Sequence, residues 1–288
     1  MKIISHGTNV ILFILKLIIK IYIILKYFLM GFINKVFPRL YPIMVRNKVD
    51  FIKLISNKCT CLEIGPFNKP LLKGMNVKYF DVLNKNALIK RAKQLEIDSS
   101  LVPDINFISA NGDLKVIDEK FEAILSSHVI EHQPDLIYHL KCIEELLVES
   151  GRYFLIIPDQ RFTFDYFIPK SNLAQVIEAH IKKNKKHTLT SVIEHRCLTT
   201  HNNPYLHLVG AHGAALTGEF LTKSIDMAII EYNNTAGYID VHAWYFTPAS
   251  FTNLITQLFD AGFIKLVVDK VYNTLPGQLE FFVVLHKV

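Results

Sequence analysis

Residues 59–67 read CTCLEIGPF, a short apolar run that ends in an acid, a glycine and a proline. Similar runs follow at residues 77–81, 105–109, 122–126 and 151–158. The last of these, GRYFLIIP, is apolar almost throughout, which is typical of a strand buried on both faces of a sheet. Spacing of this kind, with helical patterns between the runs, predicts parallel strand–helix–strand units.

The C-terminal part completes this pattern. Residues 136–147 carry apolar side chains at helical spacing, and residues 248–261 predict a helix that begins at a proline and ends before Gly262. Residues 263–271 and 280–286 predict two closing strands. The sequence therefore predicts an α/β, Rossmann-like fold: a mostly parallel seven-stranded sheet with helices on both faces.

We expect two regions in the 288 residues. Residues 46–288 form the α/β domain, and residues 159–245 are a mixed insertion after the fifth strand, here called the lid. Residues 1–45 form an apolar helix with a basic flank. The net charge of +6 is modest and not gathered into an arm, so we expect no nucleic-acid partner. The four cysteines form no disulfide framework or metal-type pairing, which suits a reducing compartment.

The segment 10–33 is apolar and long enough to span a bilayer, but three lysines interrupt it. Lys16, Lys20 and Lys26 share about one third of a helix surface. Each lysine costs about 2.5–3.5 kcal/mol inside a membrane, so a helix lying in the interface is the alternative to a spanning one. Basic residues after the segment place the rest of the chain at the cytoplasmic face of the inner membrane under either interpretation.

Two acids follow the first two predicted strands and indicate the ligand. Gly65 allows close approach of the backbone to a ligand, and Asp81, eighteen residues after Glu63, can accept hydrogen bonds from two ribose hydroxyls. The glycine series that cradles a pyrophosphate is absent, and Glu63 would repel one. This combination disfavours NAD and favours a cationic nucleoside such as S-adenosylmethionine (SAM).

At this point the chain resembles a known family. The segments LEIGPFNKP, YFDVLN, NGDL, SSHVIEHQPDLIYHL and GRYFLIIPD look like the successive motifs of class I SAM-dependent methyltransferases, over about residues 59–160. The sequences of these segments are also similar to those of a bacterial subgroup associated with glycan and surface-polysaccharide assembly. The usual run of three glycines is reduced here to Gly65, and Pro66 and Phe67 follow it, so the loop is stiffer and has one backbone donor fewer.

The resemblance implies roles for individual residues. Glu63 and Gly65, with Pro66 beside them, would hold the methionine end of SAM, and Asp81 would bind the ribose. Asp113 and Leu114 would flank the adenine, while Ser127 and His128 would line the methyl-transfer chamber. An ordinary strand-end or turn acid is the alternative for Asp81 and Asp113. For Glu131 and His132, capping the next helix is as good an interpretation as catalysis.

The lid contains seven of the twelve histidines. We take His195 as a second catalytic candidate beside His128, and His201, His242 and Trp244 as substrate residues. Three roles stay open for the histidines: a general base, ligands of a divalent metal, or ordinary polar packing. Close metal-type spacing is absent, so no metal ligand is assigned.

The sequence thus predicts a methyltransferase that uses SAM to methylate a hydroxyl of a sugar or a lipid-linked glycan at the membrane surface, which residues 10–33 contact. His128 or His195 would take the hydroxyl proton. Two alternatives stay open: a methyltransferase of membrane quinones or other lipids, and a SAM-binding scaffold without turnover.

Overall fold

The computed structural model describes residues 45–288, together with Leu17, Ile21 and Leu25. Those three residues are helical and 46–59% exposed. The rest of the predicted apolar segment 10–33 lies outside the described residues. In the part of the chain that is described, no helix combines the length and apolar character that crossing a bilayer requires.

Seven strands form one sheet in the order β3-β2-β1-β4-β5-β7-β6. Strands β1 to β5 run parallel to one another, and the direction in which strands are added reverses between β1 and β4. This is the arrangement of a doubly wound sheet with its switch point beside β1. The bounds are β1 (Cys61–Ile64), β2 (Val77–Asp81), β3 (Phe107–Ile108), β4 (Phe121–Ser127), β5 (Leu147–Pro158), β6 (Leu266–Tyr272) and β7 (Glu280–Lys287).

The prediction of an α/β sheet of seven strands is confirmed, but the sheet is mixed rather than mostly parallel. Strand β7 enters between β5 and β6 and runs antiparallel to both. The reason is the short connection from β6 to β7, residues 273–279, because a parallel crossover needs a dozen or more residues. The apolar runs near the C-terminus indicated the two closing strands but not their direction.

Helices cover both faces of the sheet. On one face, helices α3 (Leu136–Leu146) and α8 (Pro248–Asp260) pack against Leu62, Ile64 and their neighbours. On the other face, helix α1 (Lys48–Ile52) places Phe51 against the alternate residues of the same strands. Helix α2 (Lys85–Gln94) follows β2 and is capped by Asn84, whose side chain accepts a hydrogen bond from the Ala87 N–H.

The lid is mainly helical. It contains α4 (Leu173–Lys182), α5 (Leu189–Cys197), α6 (Pro204–Leu208) and α7 (Gly218–Asn234). Helices α5 and α7 pack on each other, with Val192 and Ala228 in a small core of their own. The sequence pattern looked irregular because three of these helices are only 5 to 10 residues long, and α5 and α7 bury residues against each other rather than against the sheet. The sequence signal that could have indicated the starts of three of these helices was their polar N-cap residues, Asn172, Thr188 and Asn203.

Candidate functional site

A cavity of about 250 Å³ lies at the carboxyl ends of the parallel strands, beside the switch point; we call it the strand-end cavity. Ligands of doubly wound sheets bind at this position because the loops after neighbouring strands diverge there. The residues after β1, β2, β3 and β4 all reach it, and the lid closes one side. Its lining includes Gly65, Asp81, Leu114, His128, His132 and Asp240.

The loops of the strand-end cavity have constrained backbones. Gly65 has a φ of +69°, and a Cβ atom there would lie 2.9 Å from Cγ2 of Val129. Phe67 and His128 have φ angles of 45° and 55°, the left-handed region that side chains other than glycine rarely adopt. Such conformations cost free energy and gather at functional sites. A side chain at position 65 would therefore require both a strained backbone and a displacement of Val129.

Asp81 stands at the end of β2 with its carboxylate at the strand-end cavity. One oxygen accepts a hydrogen bond from the Leu83 N–H at 3.2 Å. Burial raises the pKa of Asp81, while backbone hydrogen bonds and the nearby Arg91 charge act in the opposite direction. The carboxylate is therefore placed where it can accept hydrogen bonds from a ligand in the cavity.

The mouth of this cavity carries an ion pair that the sequence did not indicate. Nη2 of Arg91, on α2, lies 2.9 Å from Oδ2 of Asp240 in the lid. The Tyr238 hydroxyl donates to the other Asp240 oxygen at 3.1 Å. All three residues line the cavity. The pair thus connects the sheet domain to the lid across the ligand space.

Glu63 does not line the strand-end cavity. Its carboxylate is buried on the opposite face of β1 and accepts hydrogen bonds from the N–H groups of Leu71 and Leu72 at 2.8–3.1 Å. Burial raises its pKa to about 7, although these hydrogen bonds favour the charged form. Glu63 therefore holds the loop that carries Gly65 instead of contacting a ligand there.

Three other predicted cofactor residues also lie beside the cavity. Pro66 is buried under the loop. Asp113 accepts a hydrogen bond from the Lys115 N–H at the start of a 3₁₀ turn and another from the Tyr138 hydroxyl at 2.9 Å. The Ser127 hydroxyl accepts a hydrogen bond from Lys48 of α1. Their side chains serve the structure around the site, whereas Gly65, Asp81, Leu114 and His128 form its surface.

His128 lies in the strand-end cavity with each ring nitrogen near a carboxylate. Nε2 is 2.8 Å from Oε2 of Glu280 on β7, and Nδ1 is 3.5 Å from Oε1 of Glu131. Lys48 lies 3.1 Å from the same Glu280 oxygen. Burial alone would raise the pKa of Glu280, but the hydrogen bond from His128 and the Lys48 charge hold it below its usual value. With Nε2 engaged by Glu280, Nδ1 is the nitrogen left for proton transfer.

The lid candidates separate into two places. His195 and His242 lie together, with the His242 N–H 3.2 Å from Nδ1 of His195, and burial lowers the pKa of His195 to about 4. His201 lies apart from these two histidines. Its Nε2 is 2.9 Å from the Ala211 carbonyl oxygen, and its ring packs against His207. It lines neither of the cavities described in this subsection.

A second cavity of about 280 Å³ lies within the lid; we call it the lid cavity. Trp244 and Tyr245 line it together with polar side chains that include Gln175, Glu178 and Thr190. The Trp244 indole N–H donates to the Gln133 carbonyl at 2.6 Å, and Gln133 lines the strand-end cavity. The two cavities are therefore neighbours across residues 133–134 and 242–244.

Glu131 and His132 are placed by the structure beside the ligand space. His132 lines the strand-end cavity, and Glu131 is fully buried next to it. Helix α3 is capped by Asp135, whose side chain accepts a hydrogen bond from the Tyr138 N–H. The capping role left open for Glu131 and His132 thus belongs to another residue. Their position in the loop after β4 was the sequence signal that could have placed them beside the ligand space.

Comparisons with known proteins give methyltransferases. No protein-family model and no curated protein sequence matches the chain. Among solved structures, the chain is similar to a mitomycin 7-O-methyltransferase (12% identity, TM-score 0.38), with 84% of this chain covering 53% of that one. It is also similar to the CcbJ methyltransferase from Streptomyces caelestis, with 11% identity and a TM-score of 0.41. That match covers 84% of this chain and 94% of the other. A SAM-dependent methyltransferase from Clostridium acetobutylicum gives 10% identity, TM-score 0.41, and coverages of 91% and 98%. The chain thus spans about half the length of the first of these proteins. Because the identities and TM-scores are low, the function has to be argued from the residues of the cavity.

Glu63→Gln tests the buried carboxylate under the loop. Because the pKa of Glu63 is about 7 in the folded chain and about 4.3 in an unfolded one, the folded state keeps the proton longer. This group therefore favours folding below about pH 4.5, and the contribution is lost as the pH rises to 7. We expect the parent to lose roughly 2–3 kcal/mol relative to the glutamine variant over that interval, measured by urea denaturation. The exposed Glu145→Gln is the control, and parallel pH profiles for parent and Glu63→Gln would contradict the assignment.

Proposed function

We propose that this chain is a SAM-dependent methyltransferase that methylates a hydroxyl of a sugar or a lipid-linked glycan. The observation that carries the proposal is the strand-end cavity, where Gly65, Asp81 and His128 meet beside the switch point of the sheet. These three residues come from three different strand ends. Each is a residue to which the sequence motifs assign a role in SAM binding or methyl transfer.

The cavity fits SAM in shape and charge. At Gly65 the backbone itself lines the cavity, and a Cβ there would collide with Val129. Phe80, Leu88 and Leu114 give an apolar wall suited to a base, and Asp81 supplies a carboxylate for ribose hydroxyls. Arg91 is paired with Asp240, so a phosphate finds no uncompensated cation among these lining residues. Bound SAM supplies a methyl group activated by its sulfonium charge.

We assign to His128 the role of general base for the acceptor hydroxyl. Glu280 and Lys48 fix its ring through Nε2, and Nδ1 is then available to the hydroxyl proton. As the acceptor oxygen bonds to the methyl carbon, the bond from that carbon to sulfur breaks and the proton passes to Nδ1. General base catalysis of this kind contributes typically 10²–10⁴-fold, and alignment of the reacting atoms contributes as well.

The lid cavity supports a hydroxyl-bearing acceptor. It is adjacent to the strand-end cavity and combines Trp244 and Tyr245 with the polar side chains of Gln175 and Glu178. Aromatic faces and hydrogen-bonding groups together suit a sugar ring. A quinone would require a mainly apolar space, so this lining favours the glycan over the lipid alternative.

We also propose that the segment around residues 10–33 holds the protein against the cytoplasmic membrane surface. Leu17, Ile21 and Leu25 are each helical and exposed, and their four-residue spacing in the sequence is typical of one face of a helix. An exposed apolar helix face next to lysines in the sequence is typical of interfacial binding.

SAM binding to the full chain, measured by calorimetry, tests the cofactor. We expect a dissociation constant in the micromolar range, about −8 kcal/mol. Asp81→Asn removes one ribose acceptor and should weaken binding roughly 10- to 100-fold, the effect of a charged hydrogen bond. Asp104→Asn is the control, since Asp104 is exposed and pairs with Lys85 outside the cavity. A folded parent that does not bind SAM contradicts the proposal.

His128→Gln tests the base. Release of S-adenosylhomocysteine should fall about 10²–10⁴-fold with p-nitrophenyl glycosides as acceptors, while SAM affinity stays within about threefold. His180→Gln, at a histidine that pairs with Asp135 and lines neither cavity, should keep its activity. SAM binding without turnover on any glycoside or isoprenoid quinol indicates the scaffold instead, and turnover on quinols alone indicates the lipid enzyme.

Vesicle flotation of the full chain tests membrane binding. The triple variant Leu17→Gln, Ile21→Gln and Leu25→Gln should release most of the protein from phosphatidylethanolamine–phosphatidylglycerol vesicles, because it removes the apolar face. The matched control changes three exposed apolar residues of the sheet domain: Leu95→Gln, Ile97→Gln and Leu101→Gln. Equal flotation of both triple variants would exclude this face as the contact.

A further inference from the structure

A buried group of three potential metal ligands lies at the wall of the strand-end cavity: Glu131, His132 and His242, here called the histidine–carboxylate cluster. One ligand atom from each residue lies within 4.8 Å of the other two. Glu131 is fully buried, and neither carboxylate oxygen has a hydrogen-bond partner among the described residues. A buried carboxylate without a partner is costly, and a bound cation is the usual remedy.

The two histidines are oriented as metal ligands are. Nδ1 of His132 lies 3.0 Å from the Val241 carbonyl, and Nδ1 of His242 lies 2.8 Å from Oδ2 of Asp165. Because these oxygens accept hydrogen bonds, each Nδ1 carries the proton and each Nε2 keeps its lone pair. Metal-bound histidines almost always donate their second nitrogen to a carbonyl or a carboxylate in this way.

The backbone holds the three residues in one frame. The N–H groups of Ala243 and Trp244 both donate to the Glu131 carbonyl, at 2.7 and 3.1 Å. These bonds attach the irregular segment that carries His242 to the 3₁₀ turn that carries Glu131 and His132. The imidazole rings of His132 and His242 lie 4.7 Å apart and nearly perpendicular. The ligand atoms therefore converge from two segments that cannot move independently.

We propose that the histidine–carboxylate cluster binds a divalent transition-metal ion such as Zn²⁺, Mn²⁺ or Fe²⁺. Two imidazole nitrogens and one carboxylate leave coordination positions open, the ligand set of catalytic rather than structural sites. Mg²⁺ is disfavoured because it requires oxygen ligands in near-octahedral geometry.

Asp165 and His195 orient this site from outside. They form a second convergent group with His242, but the Asp165 oxygen is already hydrogen-bonded to Nδ1 of His242. Nδ1 of His195 accepts the His242 N–H. The contact with Asp165 orients the ring of His242 with its Nε2 directed away from Asp165, and the contact with His195 holds the His242 backbone, which makes Asp165 a positioning residue.

The position of the metal suggests its role. His132 lines the strand-end cavity, and Nδ1 of His128 lies 3.5 Å from the Glu131 carboxylate. An acceptor hydroxyl bound to the metal would lose its proton more readily, and His128 is placed to receive it. This role rests on the proposed function, whereas binding of the metal does not.

Titration of the EDTA-treated full chain with Co²⁺, followed by visible absorption, and with Zn²⁺, followed by calorimetry, tests the site. We expect one ion per chain. Glu131→Gln and His242→Gln should each weaken binding at least tenfold, and Asp165→Asn should weaken it about 10- to 100-fold, as loss of an orienting partner does. Mg²⁺ should not compete.

His207→Gln is the matched control, since His207 is another buried lid histidine, hydrogen-bonded to His212 and to the His201 carbonyl. It should bind the metal as the parent does. Loss of binding in His207→Gln, unchanged binding in Glu131→Gln, or no binding by the folded parent each overturns the proposal. Should His242→Gln fail to fold, Glu131→Gln decides, because it keeps the shape of the side chain.

Asp81→Asn separates this proposal from the proposed function. It should bind Co²⁺ as the parent does and lose SAM affinity. Conversely, Glu131→Gln should lose Co²⁺ and keep SAM within about threefold in calorimetry. Failure of the SAM experiments with intact Co²⁺ binding would therefore reject the methyltransferase without rejecting the metal site.

Discussion

Two backbone hydrogen bonds, from Ala243 and Trp244 to the carbonyl of Glu131, determine the arrangement of the whole site. They join the end of the lid to the turn that follows β4, which lies beside the switch point of the sheet. Because of them, His242 faces His132, and the Trp244 indole reaches the Gln133 carbonyl. The strand-end cavity, the histidine–carboxylate cluster and the lid cavity are neighbours for this one reason.

The part of the site that follows from local pattern could be predicted. Residues at the ends of parallel strands meet at one edge of a sheet, so Gly65, Asp81, Leu114 and His128 were found from their positions alone. Glu63 shows the limit of the same rule. Side chains alternate along a strand, so with Ile64 facing the cavity side, Glu63 faces the opposite side and meets the loop backbone.

The contribution of the lid could not be predicted, because it depends on contacts between distant segments. Arg91 and Asp240 are 149 positions apart in the sequence. His132 and His242 are brought together by backbone hydrogen bonds that no sequence motif predicts. Histidine content gave no means of sorting the seven lid histidines. The structure sorts them by partner: His207 and His212 bond to each other, whereas His242 pairs with the buried Asp165 and packs against His132, which lines the strand-end cavity.

The strengths of the lid's attachments differ from its base to its edge. At the base, the bonds to the Glu131 carbonyl are buried, and breaking them would strand backbone groups away from water. At the edge, the side chains of Arg91 and Asp240 are 41% and 58% exposed, and exposed ion pairs contribute only about 0–1 kcal/mol. A ligand can therefore displace the edge at little cost while His132 and His242 keep their relative positions. Opening of the mouth and a fixed arrangement of His132 and His242 behind it are compatible in this fold because the two attachments are so unequal.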